Sequence, residues 1–289
     1  MTRAAPTQDR LAEHGPGAQP PAQRRPPLRA YRAMAGAALR SLLAYPMSFV
    51  FGLLATAFGT LAMLYLWQAV LANSGTVAGF DWPQMKAYIL ITFVVGSLVS
   101  SYTDYRMAGR IQEGEVALDL VKPVDYQGSR FAEAVGFAVY EAGTAVAVAA
   151  VALLVFGGIP VPAPGQLALA VVSAVLALPL RFAVVYATGL VTFWTHNYVG
   201  VQAGRIALVL LLSGGLVPLA FYPDWLRITA SVLPFAGMAA TPAMIYVGQL
   251  RGLPALGAIA VQLIWVVVLW WLTRALWEWA SRKLTVHGG

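Results

Sequence analysis

The chain has 289 residues, of which 59% are hydrophobic and 11% charged, and a formal net charge of +7. Water-soluble domains carry about 25% charged residues, so this chain cannot coat a water-facing surface, and lipid is the expected solvent for most of it. The absence of Cys excludes disulfides, thiolate metal sites and Cys nucleophiles. The basic residues flank apolar runs and form no separate basic domain, which argues against a nucleic-acid partner.

Residues 1–27 are rich in Pro, Gln, Ala and Arg and contain no apolar run. They read as a disordered cytoplasmic tail rather than a signal peptide, because no short apolar core follows a basic start. Residues 28–45 follow as an amphipathic helix. At 100° per residue Arg29, Arg32 and Arg40 fall within about 80° of one another, with Tyr31, Met34, Ala38 and Leu42 opposite. Such a helix lies in the membrane interface, and the Tyr45-Pro46 step offers a break before the first span.

A helix needs ~20 apolar residues to cross ~30 Å of hydrocarbon. Six stretches are candidates: 47–71, 87–102, 131–156, 166–194, 206–221 and 253–279. The fold class expected is therefore all-α and polytopic, with one membrane domain over 28–289. Fifteen Lys and Arg flank the spans on one side and three on the other. The rich side is the expected cytoplasmic face, which places both termini inside a bacterial-type plasma membrane.

Two connections carry more chemistry than the spans. Residues 104–130, between the second and third spans, are too polar for lipid. Arg110, Glu113, Glu115 and Asp119 alternate there with Ile111, Val116, Leu118 and Leu120, and Pro123 ends the helical stretch. This is a short amphipathic helix with one apolar face to bury, in its own bundle or in a partner. Residues 222–251, between the fifth and sixth spans, are apolar but interrupted by Pro223, Pro234 and Pro242. They read as a pair of short helices dipping partway into the membrane from the outer side.

Charges inside the spans are costly and mark functional candidates. Glu141 lies about 15 Å, and Arg181 about 20 Å, from the cytoplasmic ends of their spans at 1.5 Å per residue. The similar depths suggest a Glu141–Arg181 pair that ties the third and fourth spans together or lines a polar path. The chain has no G-x-x-x-x-G-K-[ST] loop, no H-E-x-x-H and no G-x-S-x-G. His14, His196 and His287 are too far apart in sequence to suggest a metal site. No catalytic, cofactor-binding or metal-binding residue is expected. The Trp265, Trp270, Trp271, Trp277 and Trp279 cluster is better explained by a lipid-facing helix than by a cation cage.

Five segments, GRIQEGEVALDLVKPVDY, FWTHNYVGVQ, LLSGGLVPLAFYPDWL, LPFAGMAATPAMIYVGQL and RKLTVHGG, together resemble the permease subunits of ABC type-2 exporters, in the branch associated with daunorubicin-type multidrug efflux. The resemblance runs from about residue 31 to 289. Departures are the Pro/Arg tail and Gln112, where the family more often has a basic residue. The resemblance implies six spans, an interface helix, a coupling helix at 109–122 and an outer re-entrant pair. It implies an outer gate at Pro218, Phe221, Pro223, Trp225, Pro234 and Phe235. It further implies docking of separate ABC ATPase subunits, which hold the Mg-ATP, on the coupling helix at Arg110, Ile111, Glu113, Glu115, Val116, Leu118 and Asp119. A second permease subunit, identical or different, and membrane lipid complete the expected partners. The export of a drug, natural product or lipid-like substrate follows. A secondary transporter would need broken or charged spans at matching places in two halves. A structural or assembly protein would not need the amphipathic 109–122 segment.

Overall fold

The computed structural model describes residues 28–43, 46–99, 101–195 and 198–282. The 1–27 tail, Tyr45, His196 and the closing residues 283–289 lie outside them. The described residues form eleven α-helices and no strand. In chain order these are α1 (Leu28–Leu43), α2 (Pro46–Ser74), α3 (Trp82–Gly96), α4 (Ser101–Gln112), α5 (Val116–Leu120), α6 (Tyr126–Phe156), α7 (Pro164–Leu190), α8 (Tyr198–Leu212), α9 (Asp224–Val232), α10 (Ala240–Tyr246) and α11 (Leu253–Ser281).

Among the described residues four helices are long and apolar enough to cross a membrane: Val50–Ser74, Tyr126–Phe156, Pro164–Phe193 and Leu253–Ser281. Their outward faces carry bare apolar side chains, with Phe51, Phe58 and Leu154 exposed. Water would not tolerate so continuous an apolar surface. The helices expected to supply the second and fifth spans, α3 and α8, have 15 residues each. At 1.5 Å per residue each is about 22 Å long, short of the ~30 Å core by itself.

Local sequence accounts for the helix ends. Asp81 caps α3 by accepting from Gln84 N at 2.8 Å, and Gln84 Oε1 accepts back from Asp81 N at 3.3 Å. Asp125 caps α6 by accepting from Gly128 N at 2.7 Å. At the other end of α6, Lys86 Nζ donates to the carbonyls of Phe156 (2.8 Å) and Gly157 (3.0 Å). A helix C-terminus leaves carbonyls unpaired, and a cation is well matched to them.

The amphipathic helix α1 forms as expected, with Arg29, Arg32 and Arg40 exposed. Its other side, however, is covered by α6. A Cβ added at Gly128 would lie 3.3 Å from the Tyr31 ring, and one added at Gly136 would collide with the Ala35 carbonyl. Close backbone approach needs a residue without a side chain at that contact. Gly136→Val is therefore expected to displace α1 and cost about 1–3 kcal/mol by overpacking. Gly143→Val, where nothing lies within 4 Å of the new Cβ, should be nearly silent by comparison. Thermal unfolding of both variants in the same detergent checks the contrast.

Residues 222–251 divide into two unlike parts. Helix α9 is peripheral, with Trp225, Ile228 and Val232 exposed. Helix α10 is inserted against α3 and α7, and Ala240, Ala243 and Ile245 are buried. The broken backbone around it is satisfied from the long helices. Gln262 Nε2 donates to Gly237 O at 2.8 Å, and Gln166 Nε2 donates to Ile245 O and Leu250 O, both at 2.6 Å. Tyr88 Oη donates to Gly214 O at 2.7 Å, where the backbone turns through φ +71°. Irregular backbone at membrane depth requires such partners.

Candidate functional site

The polar connection after α3 is two helices rather than one. Gly114, at φ 75°, breaks the chain between α4 and α5, a conformation that glycine adopts without penalty. The break decides which side chains face out. In a continuous helix, residues 113 and 115 would point about 200° apart; here Glu113 and Glu115 are both exposed.

Inside the turn, one carboxylate gathers three cations. Asp119 accepts from Arg110 Nη2 at 2.9 Å, from Lys122 Nζ at 2.7 Å and from Arg130 Nη2 at 3.4 Å. Arg130 also reaches Glu133 at 3.1 Å, tying the cluster to the first turns of α6. The Asp119 side chain is only 3% exposed. Burial pushes its carboxyl up, but the Lys122 hydrogen bond and the Arg130 and Arg110 charges outweigh burial and hold it below the usual carboxylate range. The α4–α5 turn is thus clamped to the bundle by charge. Ile111 and Val116 anchor it from the apolar side, packed in a cluster with Met107, Tyr126 and Phe182.

This sorts the residues expected on the docking surface. Glu113, Glu115 and Leu118 do face outward, Leu118 being 67% exposed. Ile111, Val116 and Asp119 are turned inward, and Arg110 is pinned against Asp119, so these four brace the surface rather than form it. Leu120 and Val121, the latter 84% exposed, join the outward face instead. The surface is a pair of carboxylates beside three exposed aliphatic side chains.

The expected Glu141–Arg181 pair is not formed. Arg181 makes no ion pair with Glu141, and among the described residues a charged neighbour of it is Arg205 of α8. Matching depth aligned the two residues along the membrane normal but said nothing of rotation about the helix axes. Arg181 turns instead toward α3 and α8. Sequence reading missed Arg205 because the fifth span was drawn from residue 206, which left Arg205 in a loop. Helix α8 begins at Tyr198, so Arg205 falls at its midpoint.

The expected outer-gate residues differ in burial. Pro218 and Pro234 are buried, and Phe221 packs on Trp67 with ring centroids 5.0 Å apart. Phe235 is half-buried, while Pro223 and Trp225 are exposed. The α11 tryptophans do not assemble a cage. Trp277 stacks on Tyr126 at 3.9 Å, Trp279 on Trp194 at 4.4 Å, and Trp265 Nε1 donates to Val232 O.

An apolar helical bundle with a polar, charge-clamped turn is the architecture of a multi-pass membrane protein. A family model described as ABC-2 family transporter protein matches residues 57–288. The chain belongs to that family: it is the membrane permease component of an ABC-2 type transporter, a family whose permeases work with an ATPase component. No curated protein and no solved structure matches it.

Proposed function

We propose that this chain is the permease subunit of an ATP-driven exporter that carries a hydrophobic or amphiphilic substrate (a drug, natural product or lipid-like molecule) out of the cytoplasm. The observation that carries the reading is the exposed Glu113, Glu115, Leu118, Leu120 and Val121 surface on a turn braced by Asp119. Work done in the membrane by a separate motor needs a mechanical link, and a rigid turn with carboxylates outward suits a basic, partly apolar partner surface. In this proposal the ATPase holds the Mg-ATP, two permease subunits pair, and Pro218, Phe221, Pro223, Trp225, Pro234 and Phe235 belong to the outer gate. Helices α3 and α8, extended by the turns that follow them, bring the crossings to six.

The reading is tested by co-expressing the permease with the candidate ATPase and reconstituting the purified pair. Vanadate-sensitive hydrolysis and transport should require both chains. Hydrolysis by the permease alone would overturn the proposal.

Orientation is tested by Cys labelling in intact cells. Gln127 is unsuitable for the inner face because it is buried and donates to Thr273 Oγ1 at 3.0 Å. Val121→Cys is expected to react only after the membrane is permeabilised, and Ser74→Cys and Arg251→Cys from outside. Outside labelling at position 121 would invert the topology.

A further inference from the structure

At the end of α6 opposite the docking turn lies a cavity that neither the docking surface nor the proposed outer gate uses. It is bounded by the start of α3, the α6–α7 connection and the α10–α11 connection. It encloses about 400 Å³, within the ~300–1,000 Å³ typical of small-molecule sites. The membrane-crossing segments stop at Phe156 and begin again at Pro164 and Leu253, and most of the lining falls in those gaps. That is the depth of lipid head groups, where the Tyr246 in its wall is also at home.

Among the described residues that line it, Asp81 and Arg251 carry the charges, and neither of them forms an ion pair. Both are held by the backbone. Asp81 Oδ1 accepts from Gln84 N at 2.8 Å, which leaves Oδ2 for a ligand. Arg251 Nε donates to Gly248 O at 2.7 Å, which leaves both Nη groups. A Cβ at Gly248, whose φ is +78°, would fall 2.5 Å from Arg251 Nη2, so the guanidinium lies across a surface that only glycine provides. Pro83, Pro160 and Pro162 stiffen the walls, and Gln166 is pinned by its bonds to Ile245 O and Leu250 O. A site rigid before binding has little ordering cost to meet. Opposite charges held apart select a ligand that carries both. A purely anionic head would be set against Asp81, and a purely cationic one against Arg251. A carboxylate accepts hydrogen bonds, so the best-matched cation is a donor, a primary ammonium rather than a quaternary one. Val161, 80% exposed in the lining, offers acyl chains an apolar surface.

We propose that this cavity binds the head group of phosphatidylethanolamine, with the phosphate on Arg251 and the ammonium on Asp81. The bound lipid bridges the α10–α11 connection to the start of α3. The inference does not depend on the export reading, because the site lies away from the ATPase-docking surface and needs no transport to be filled. A soluble zwitterion shares the head-group chemistry but lacks the acyl chains that the depth of the site and Val161 favour.

The test is equilibrium binding of radiolabelled dihexanoyl phosphatidylethanolamine to the full chain purified in a non-ionic maltoside detergent. Binding should be saturable. Dihexanoyl phosphatidylcholine and dihexanoyl phosphatidylglycerol should each compete at least about tenfold more weakly than the unlabelled ethanolamine lipid, the scale of a charge-assisted hydrogen bond. Glycerophosphoethanolamine, the same head without acyl chains, should also compete more weakly. Arg251→Gln should weaken binding about tenfold or more. Asp81→Asn removes the charge but keeps a good helix cap, so the protein should fold and the preference for ethanolamine over choline should disappear. Tryptophan-detected unfolding shows which variants are folded. Should Arg251→Gln not fold, Asp81→Asn and the choline and glycerol competitors still decide the matter. Equal competition by the choline or glycerol lipid, wild-type preference in folded Asp81→Asn, or wild-type affinity in folded Arg251→Gln would each overturn the proposal. Full competition by glycerophosphoethanolamine would overturn it too, by making the occupant a soluble zwitterion. The assay contains no ATPase, so its failure leaves the export reading untouched.

Discussion

Replacing Glu113 and Glu115 together with lysine is expected to release the ATPase while the permease still inserts and folds. Both side chains face solvent, and the only ion pair either makes among the described residues is a loose one, Glu115 to Arg110 at 3.7 Å. Exposed pairs of that kind contribute about 0–1 kcal/mol, so the fold should barely notice their loss. The proposed partner surface is basic, and there the change turns two attractions into two repulsions. Like charges set against each other across an interface cost several kcal/mol, and each 1.4 kcal/mol is about tenfold in affinity. A pull-down at matched expression should therefore lose the ATPase almost completely. Retention of wild-type amounts by the doubly substituted permease would place the docking surface elsewhere. Leu118→Ala should weaken docking less, through lost apolar contact alone.

Asp119→Ala should have the largest effect on the fold of this region. It leaves Arg110, Lys122 and Arg130 converging on a site with no counter-charge. Removing one partner from a buried ion pair typically costs about 3–5 kcal/mol. The lower end, about 3 kcal/mol, is expected here, because Lys122 is 53% exposed and can turn to solvent. The docking turn should loosen, so ATPase binding falls although Asp119 never touches the ATPase. Protease protection of the 113–121 segment separates the two variants: it should drop in Asp119→Ala and stay intact in the Glu113→Lys/Glu115→Lys pair. The acid dependence has a definite sign. Because the folded-state acidity of Asp119 is held below the usual carboxylate value near 4, the clamp's contribution is present above that pH and is lost only as pH falls further, through the folded-state value. Docking should accordingly be flat between pH 6 and 8.

The proposed docking surface was partly legible in the sequence. Its charge and its Gly and Pro punctuation were visible. Which half of it faces outward was not, because an unbroken helical period was assumed through Gly114. One left-handed residue rotates everything after it, and so Val116 and Asp119 went in while Leu120 and Val121 came out. The outer segment shows a similar limit. Its Pro content told that one span could not be built there. It could not tell that Gln166, Gln262 and Tyr88, from 25 to 126 residues away in sequence, would supply the missing hydrogen bonds.

By itself the sequence determined that the chain lives in a membrane, where its long helices run, which connection is too polar for lipid, and that it carries no phosphate loop of its own. These depend on composition summed over a local window, which is what partition between water and lipid responds to. Only the tertiary structure decided that Asp119 is a clamp rather than a contact, that α6 covers α1, and that Arg181 faces Arg205 instead of Glu141. Each of those turns on the rotation of one helix against another. Rotation is set by side-chain packing between residues far apart in the chain, and Gly136 against Ala35 shows how close that packing can be.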